Sequence, residues 1–156
     1  MDKTLLQQQV CAHLEADLAL AIRAAQTAHE AATHEENIAE NKYDTLGLEA
    51  AYLAAGQARR VEEIRQALKA WQALPMRDYD EVQGIGLGAL VSLRSAEGRQ
   101  QCLLLGPDGA GLKLPGAEGE IMLITPRAPL GQQLLGLGVG DEVGSGAQRW
   151  TIVRVR

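Results

Sequence analysis

Phenylalanine is absent from this 156-residue chain, and aromatic residues make up only 3% of it. Any core is therefore expected to be aliphatic and Ala-rich. Cysteine is almost as scarce. Cys11 and Cys102 stand far apart and no Cys-x-x-Cys pair exists, which argues against a structural zinc site and against a disulfide framework. No apolar run reaches the roughly 18 residues that a membrane span needs, and the polar start does not read as a signal peptide. The expectation is a cytoplasmic protein that does not engage a membrane. A basic excess is missing too: 15 Lys+Arg face 20 Asp+Glu, for a net charge of -5 and a pI near 5.2. A chain that grips a phosphate backbone unaided shows a basic face, so a protein partner is expected rather than nucleic acid. The glycine clusters Gly84-Ile85-Gly86-Leu87-Gly88 and Gly136-Leu137-Gly138-Val139-Gly140 lack the strand-to-helix GxGxxG spacing and any GK[ST], and read as turns. His13, His29 and His34 share one helical stretch without an i, i+4 pairing, and read as solvated side chains rather than ligands.

Proline and glycine divide the chain. The first 74 residues hold no Pro and two Gly, whereas residues 75–156 hold all 5 Pro and the other fifteen of the 17 Gly. Both residues punctuate strands and turns and are disfavoured within long helices. The spacing predicts a helical domain over 1–74, a linker over 75–83 and a strand-rich domain over 84–156.

In the first domain Cys11, Leu14, Leu18, Ala21, Ala25, Ala28 and Ala32 alternate spacings of three and four. Tyr43, Gly47, Ala50, Ala54, Gln57, Val61, Ile64, Leu68 and Trp71 do the same. These are two heptad seams, and the polar stretch between them predicts an antiparallel helical hairpin. Large seam residues lie at the open end and Ala or Gly toward the turn, so the hairpin should narrow to a slender tip. In the second domain, 89–93, 101–105, 120–124, 141–143 and 149–155 read as strands. Pro129 to Leu135 reads as one short helix with Pro at its start and Gly136 as its stop. The expected fold class is α+β: a coiled-coil hairpin followed by a small antiparallel sheet with one helix.

Residues 128–143, Ala-Pro-Leu-Gly-Gln-Gln-Leu-Leu-Gly-Leu-Gly-Val-Gly-Asp-Glu-Val, resemble the C-terminal signature of Gre-type transcription elongation factors, with its Pro-led short helix, Leu-Leu-Gly stop and Gly-Asp-Glu-Val turn. Gly88-Ala89-Leu90-Val91-Ser92-Leu93 resembles the strand that opens that domain, and Trp150 to Val155 its closing strand. The hairpin turn is similar in kind. Asn37-Ile38-Ala39-Glu40-Asn41 followed by Tyr43 corresponds to the family's Asp-Leu-x-Glu-Asn and aromatic, and Arg59-Arg60-Val61 to a later Gly-Arg-Ile.

The resemblance implies an FKBP-like C-terminal domain that docks on bacterial RNA polymerase at its secondary channel. It implies a hairpin entering that channel, whose acidic tip, residues 35–44, assists Mg²⁺-dependent cleavage of backtracked RNA. The factor would be no enzyme itself: it would stimulate the polymerase's own cleavage, bind no cofactor alone and share Mg²⁺ with the polymerase. Glu36, Glu40 and Asp44 are the assisting carboxylates, with Glu40 as the shared metal ligand. Asn37, Asn41 and Tyr43 shape the tip, and Pro129, Leu130 and Gly131 belong to the docking signature. Nascent RNA would be met only inside the polymerase complex, by a monomer. From Glu30 to Glu49 six acids face one base, Lys42, so this window carries the whole formal charge of -5. Mg²⁺ takes oxygen ligands and is held by one or two carboxylates with phosphate and water. The family's first Asp falls on Asn37, which leaves open a regulator that occupies the channel without stimulating cleavage. A helical-hairpin module for another partner is the remaining alternative. Prolyl isomerase activity is disfavoured, because Trp150 is the only aromatic after Tyr79.

Overall fold

The computed structural model describes residues 2–34 and 46–156. Two long helices lead: α1 (Lys3–Thr33) and α2 (Leu46–Ala73). At 1.5 Å per residue they are about 46 and 42 Å long. Asp2 caps α1, its carboxylate accepting the Thr4 amide at 2.9 Å. α2 stops just ahead of Leu74-Pro75, where the residue before proline is driven out of helical geometry. Every described residue of the two seams is buried or half-buried, from Cys11 through Ala32 and from Gly47 through Trp71, while their neighbours on the outer faces are exposed.

The chain forms two compact units, Met1–Cys11 with Lys69–Arg156, and Ala12–Leu68. The division falls inside both helices. Leu6, Val10 and Trp71 are large and fully buried in the first unit. The second is held by a modest cluster of Ala21, Val61 and Ile64, with Leu18 and Ala25 against it.

Within the first unit the strands are β1 (Leu90–Ser95), β2 (Gln100–Leu105), β3 (Lys113–Gly116), β4 (Gly119–Ile124), β5 (Glu142–Ser145) and β6 (Gln148–Val155), with α3 (Pro129–Leu134) between β4 and β5. They form one sheet in the order β3-β4-β2-β1-β6-β5. β1 pairs antiparallel with β2, Ser92 opposite Cys102, and with β6, Ser92 opposite Arg154, where a bulge follows. The helix and the strands expected from the sequence are present. β3 is an additional strand, and one pairing departs from the expected antiparallel pattern: β2 and β4 run parallel, Cys102 opposite Ile121. The loop after β2 carries the chain past its neighbour, with Gly109 and Gly111 at φ +86 and +92. β4 then returns into the gap between β2 and β3. One face of the sheet packs Val91, Leu93, Leu103, Leu105 and Ile152 against Leu134 of α3, Val143 and Ile85.

Candidate functional site

The segment expected as the hairpin tip is the first candidate. Glu36, Asn37, Glu40, Asn41, Tyr43 and Asp44 all lie outside the described residues. The helices that lead to them are described. At the end of α1, the Gln26 side chain donates to Glu30 at 3.0 Å and the Thr33 hydroxyl to the His29 carbonyl at 3.0 Å. His29 and His34 are exposed, as are Arg59 and Arg60 on α2. Among the described residues no group of His, Cys, Asp or Glu is placed to hold a metal ion.

The signature around residue 129 is the second candidate. Pro129 is the first residue of α3, where its missing amide costs nothing and its fixed φ suits the helix. Its side chain is exposed. Leu130 is half-buried against the core cluster. Gly131 is buried with its Cα turned to the chain just before it: a Cβ there would lie 2.0 Å from the Thr125 carbonyl oxygen. Of the three, Pro129 alone is exposed. Leu134 locks α3 into the core, and Gly136 ends the helix at φ +80. The turn into β5 is closed by Asp141, whose carboxylate accepts the Gly138 amide at 2.8 Å. Gln133 accepts the Gly144 amide at 2.8 Å, which ties the exposed side of α3 to the edge strand.

A third feature gave little signal in the sequence. At the start of α1, Gln7 donates from its amide to the Trp71 and Leu74 carbonyls, each at 2.8 Å, at the end of α2. Lys3 is buried and donates to the Arg77 carbonyl at 2.5 Å. Burial lowers its pKa from the ordinary lysine value, and the nearby Asp78 carboxylate only partly opposes this. The Trp71 indole donates to the Asp108 carbonyl at 2.8 Å. The Asp108 side chain itself accepts the Gly109 amide at 2.7 Å and pairs with Arg127 at 3.7 Å. On the sheet, burial raises the pKa of the Cys102 thiol against the opposing hydrogen bond from Ser92. In the β1–β2 turn, the Glu97 carboxylate is lowered chiefly by its own backbone amide and then by Ser95.

No family model and no curated protein matches the chain. Among solved structures it is similar to GreA factor homolog 1 (Gfh1) of Thermus thermophilus, at 20% identity over 94% of each chain and a TM-score of 0.38. It is similar to Gfh1 of Thermus aquaticus, at 21% identity over 92% of each chain and a TM-score of 0.38. It is also similar to a transcription elongation factor GreA/GreB from Nitrosomonas europaea, at 26% identity, over 54% of this chain and 64% of that one, with a TM-score of 0.35.

Proposed function

We propose that this chain is a Gre-type elongation factor that acts on bacterial RNA polymerase. The observation that carries the reading is the way the resembling segments assemble. Gly88–Leu93 leads into β1, Trp150–Val155 belongs to β6, and these two strands pair within the sheet. Residues 128–143 form α3 and turn into β5, which closes on β6. Segments separated by more than fifty residues thus build one connected substructure. The two long helices with small seam residues, joined by an acidic segment, supply the second element of the reading.

On this reading the unit containing the sheet docks on the polymerase, and the hairpin enters the secondary channel. Glu40, with Glu36 or Asp44, presents oxygen donors of the kind Mg²⁺ prefers. A second Mg²⁺ held there would stabilise the attacking and leaving oxygens of RNA hydrolysis. The chain's own part is to bring carboxylates to that position and hold them. Asn37 favours a second outcome, channel occupancy without cleavage, because an amide supplies no anionic ligand.

The test is transcript cleavage in purified backtracked polymerase complexes. Wild type accelerates Mg²⁺-dependent cleavage, and Glu40→Ala removes the acceleration while leaving polymerase binding intact. If wild type binds polymerase and cleavage stays unchanged, the protein is a channel-occupying regulator. If it does not bind polymerase, the Gre reading fails.

A further inference from the structure

On the sheet face turned away from the core cluster lies an open groove of about 1050 Å³. Its floor is set by register. Arg154, Ser92, Cys102 and Ile121 stand opposite one another on β6, β1, β2 and β4. Glu118, in the turn between β3 and β4, pairs with Arg154 at 3.5 Å. Two strands separate β4 from β6, so this pair bridges the groove from side to side. Two further guanidinium groups line it. Arg156 is bonded through its backbone to Leu90, in both directions, at 2.9 and 3.0 Å. Arg94 lies four residues further along β1. At about 3.3 Å per residue, the two arginines are spaced by roughly 13 Å along the strand direction. Both are exposed, and among the described residues neither has a carboxylate within ion-pair distance. The remaining acid of the groove, Glu120, is engaged by Lys113 at 3.4 Å.

We propose that this groove binds an extended acidic segment of a partner protein, with carboxylates seated on Arg94 and Arg156. The chemistry selects among anions. The backbone spacing of roughly 13 Å equals the advance of an extended chain over four residues. In such a chain alternate side chains face the same way, so acids at the first and fifth positions meet the two arginines. An acid at the third position meets Arg154. Glu118 already seats a carboxylate there, in an exposed pair of the kind that contributes little and exchanges readily. Single-stranded RNA is the poorer fit, because no aromatic side chain lines the groove for bases to stack on. The groove would act in this way whether or not the hairpin enters a polymerase channel.

The probe is a fluorescent peptide with glutamate at alternate positions, titrated into the full chain by anisotropy, with its glutamine counterpart and an RNA of equal length as controls. The expected result is binding of the glutamate peptide alone, weakened by salt, with amide shifts at Ser92 and Cys102 in NMR spectra. In Arg94→Gln/Arg156→Gln the affinity falls about tenfold, the loss of two exposed ion pairs. Both side chains are exposed, so the variant keeps its fold, which its NMR spectrum checks. Unchanged affinity in the variant, stronger binding of RNA, or displacement of the peptide by low concentrations of inorganic phosphate overturns the proposal.

Discussion

Trp71 is fully buried in the first unit. Its ring lies so close to Gly106 that a Cβ there would meet the ring carbon Cζ2 at 2.1 Å, and its indole satisfies the Asp108 carbonyl. Trp71→Ala should lower stability by about 3–5 kcal/mol. Trp71→Phe should fall between that variant and wild type, since it keeps most of the packing and leaves the carbonyl unpaired. Urea midpoints would give the order. Gly131→Ala forces a methyl onto the Thr125 carbonyl and should cost about 1–3 kcal/mol in the same assay. Lys3 makes a prediction in pH. Its pKa is lowered in the folded state, so between that value and the ordinary 10.5 the unfolded chain binds more protons than the folded one. Stability from this group is therefore lowest at neutral pH and rises as pH climbs toward 10.5. Lys3→Met should abolish the rise, as read from denaturation midpoints over that range. Trp71 as a core residue was legible from its place in the seam. Lys3 was not, because a lysine near the start of a helix reads as solvated until Arg77 and Asp78 are brought beside it.

The two long helices were legible because their periodicity runs for many turns, and a repeat that long admits one reading. Their seam is also where the second unit is most vulnerable. Ile64 is among its largest buried side chains, 4% exposed, with Ala21 and Val61 beside it. Ile64→Ala should cost about 2–5 kcal/mol within that unit. Hydrogen exchange should quicken at α2 amides around residues 54–64 and stay unchanged in β1, β2 and β6. β3 went unread because it has only four residues and contains Pro115, which cannot donate to a ladder and is tolerated at a sheet edge. The parallel pairing of β2 with β4 went unread for a different reason. Alternation within a strand reports which side chains share a face and says nothing of which neighbour the strand will choose.

At the scale of the whole molecule, charge and architecture are separated. The window from Glu30 to Glu49 carries -5 and the remainder is neutral. On the proposed reading, replacing Glu35 and Glu36 with Gln should reduce the salt dependence of association with polymerase more than it changes dissociation, as stopped-flow traces at two ionic strengths would show. The candidate site was legible in part. The motif around residue 129 named a real helix start, yet only its proline faces solvent, because spacing cannot reveal that a glycine is required by a carbonyl packed against it. The tip acids were named by resemblance and lie outside the described residues. The make-up of the first unit has a consequence for synthesis. Residues 1–11 and β6, at 148–155, belong to the same compact body, with Ala12–Leu68 set between them as a unit of its own. On the ribosome the helical hairpin can close as soon as α2 has emerged. The sheet must wait for its last strand, on the order of ten seconds later at bacterial elongation rates. Leu6 and Val10 spend that interval without their core, so the nascent chain presents an apolar helix end to chaperones until β6 has emerged.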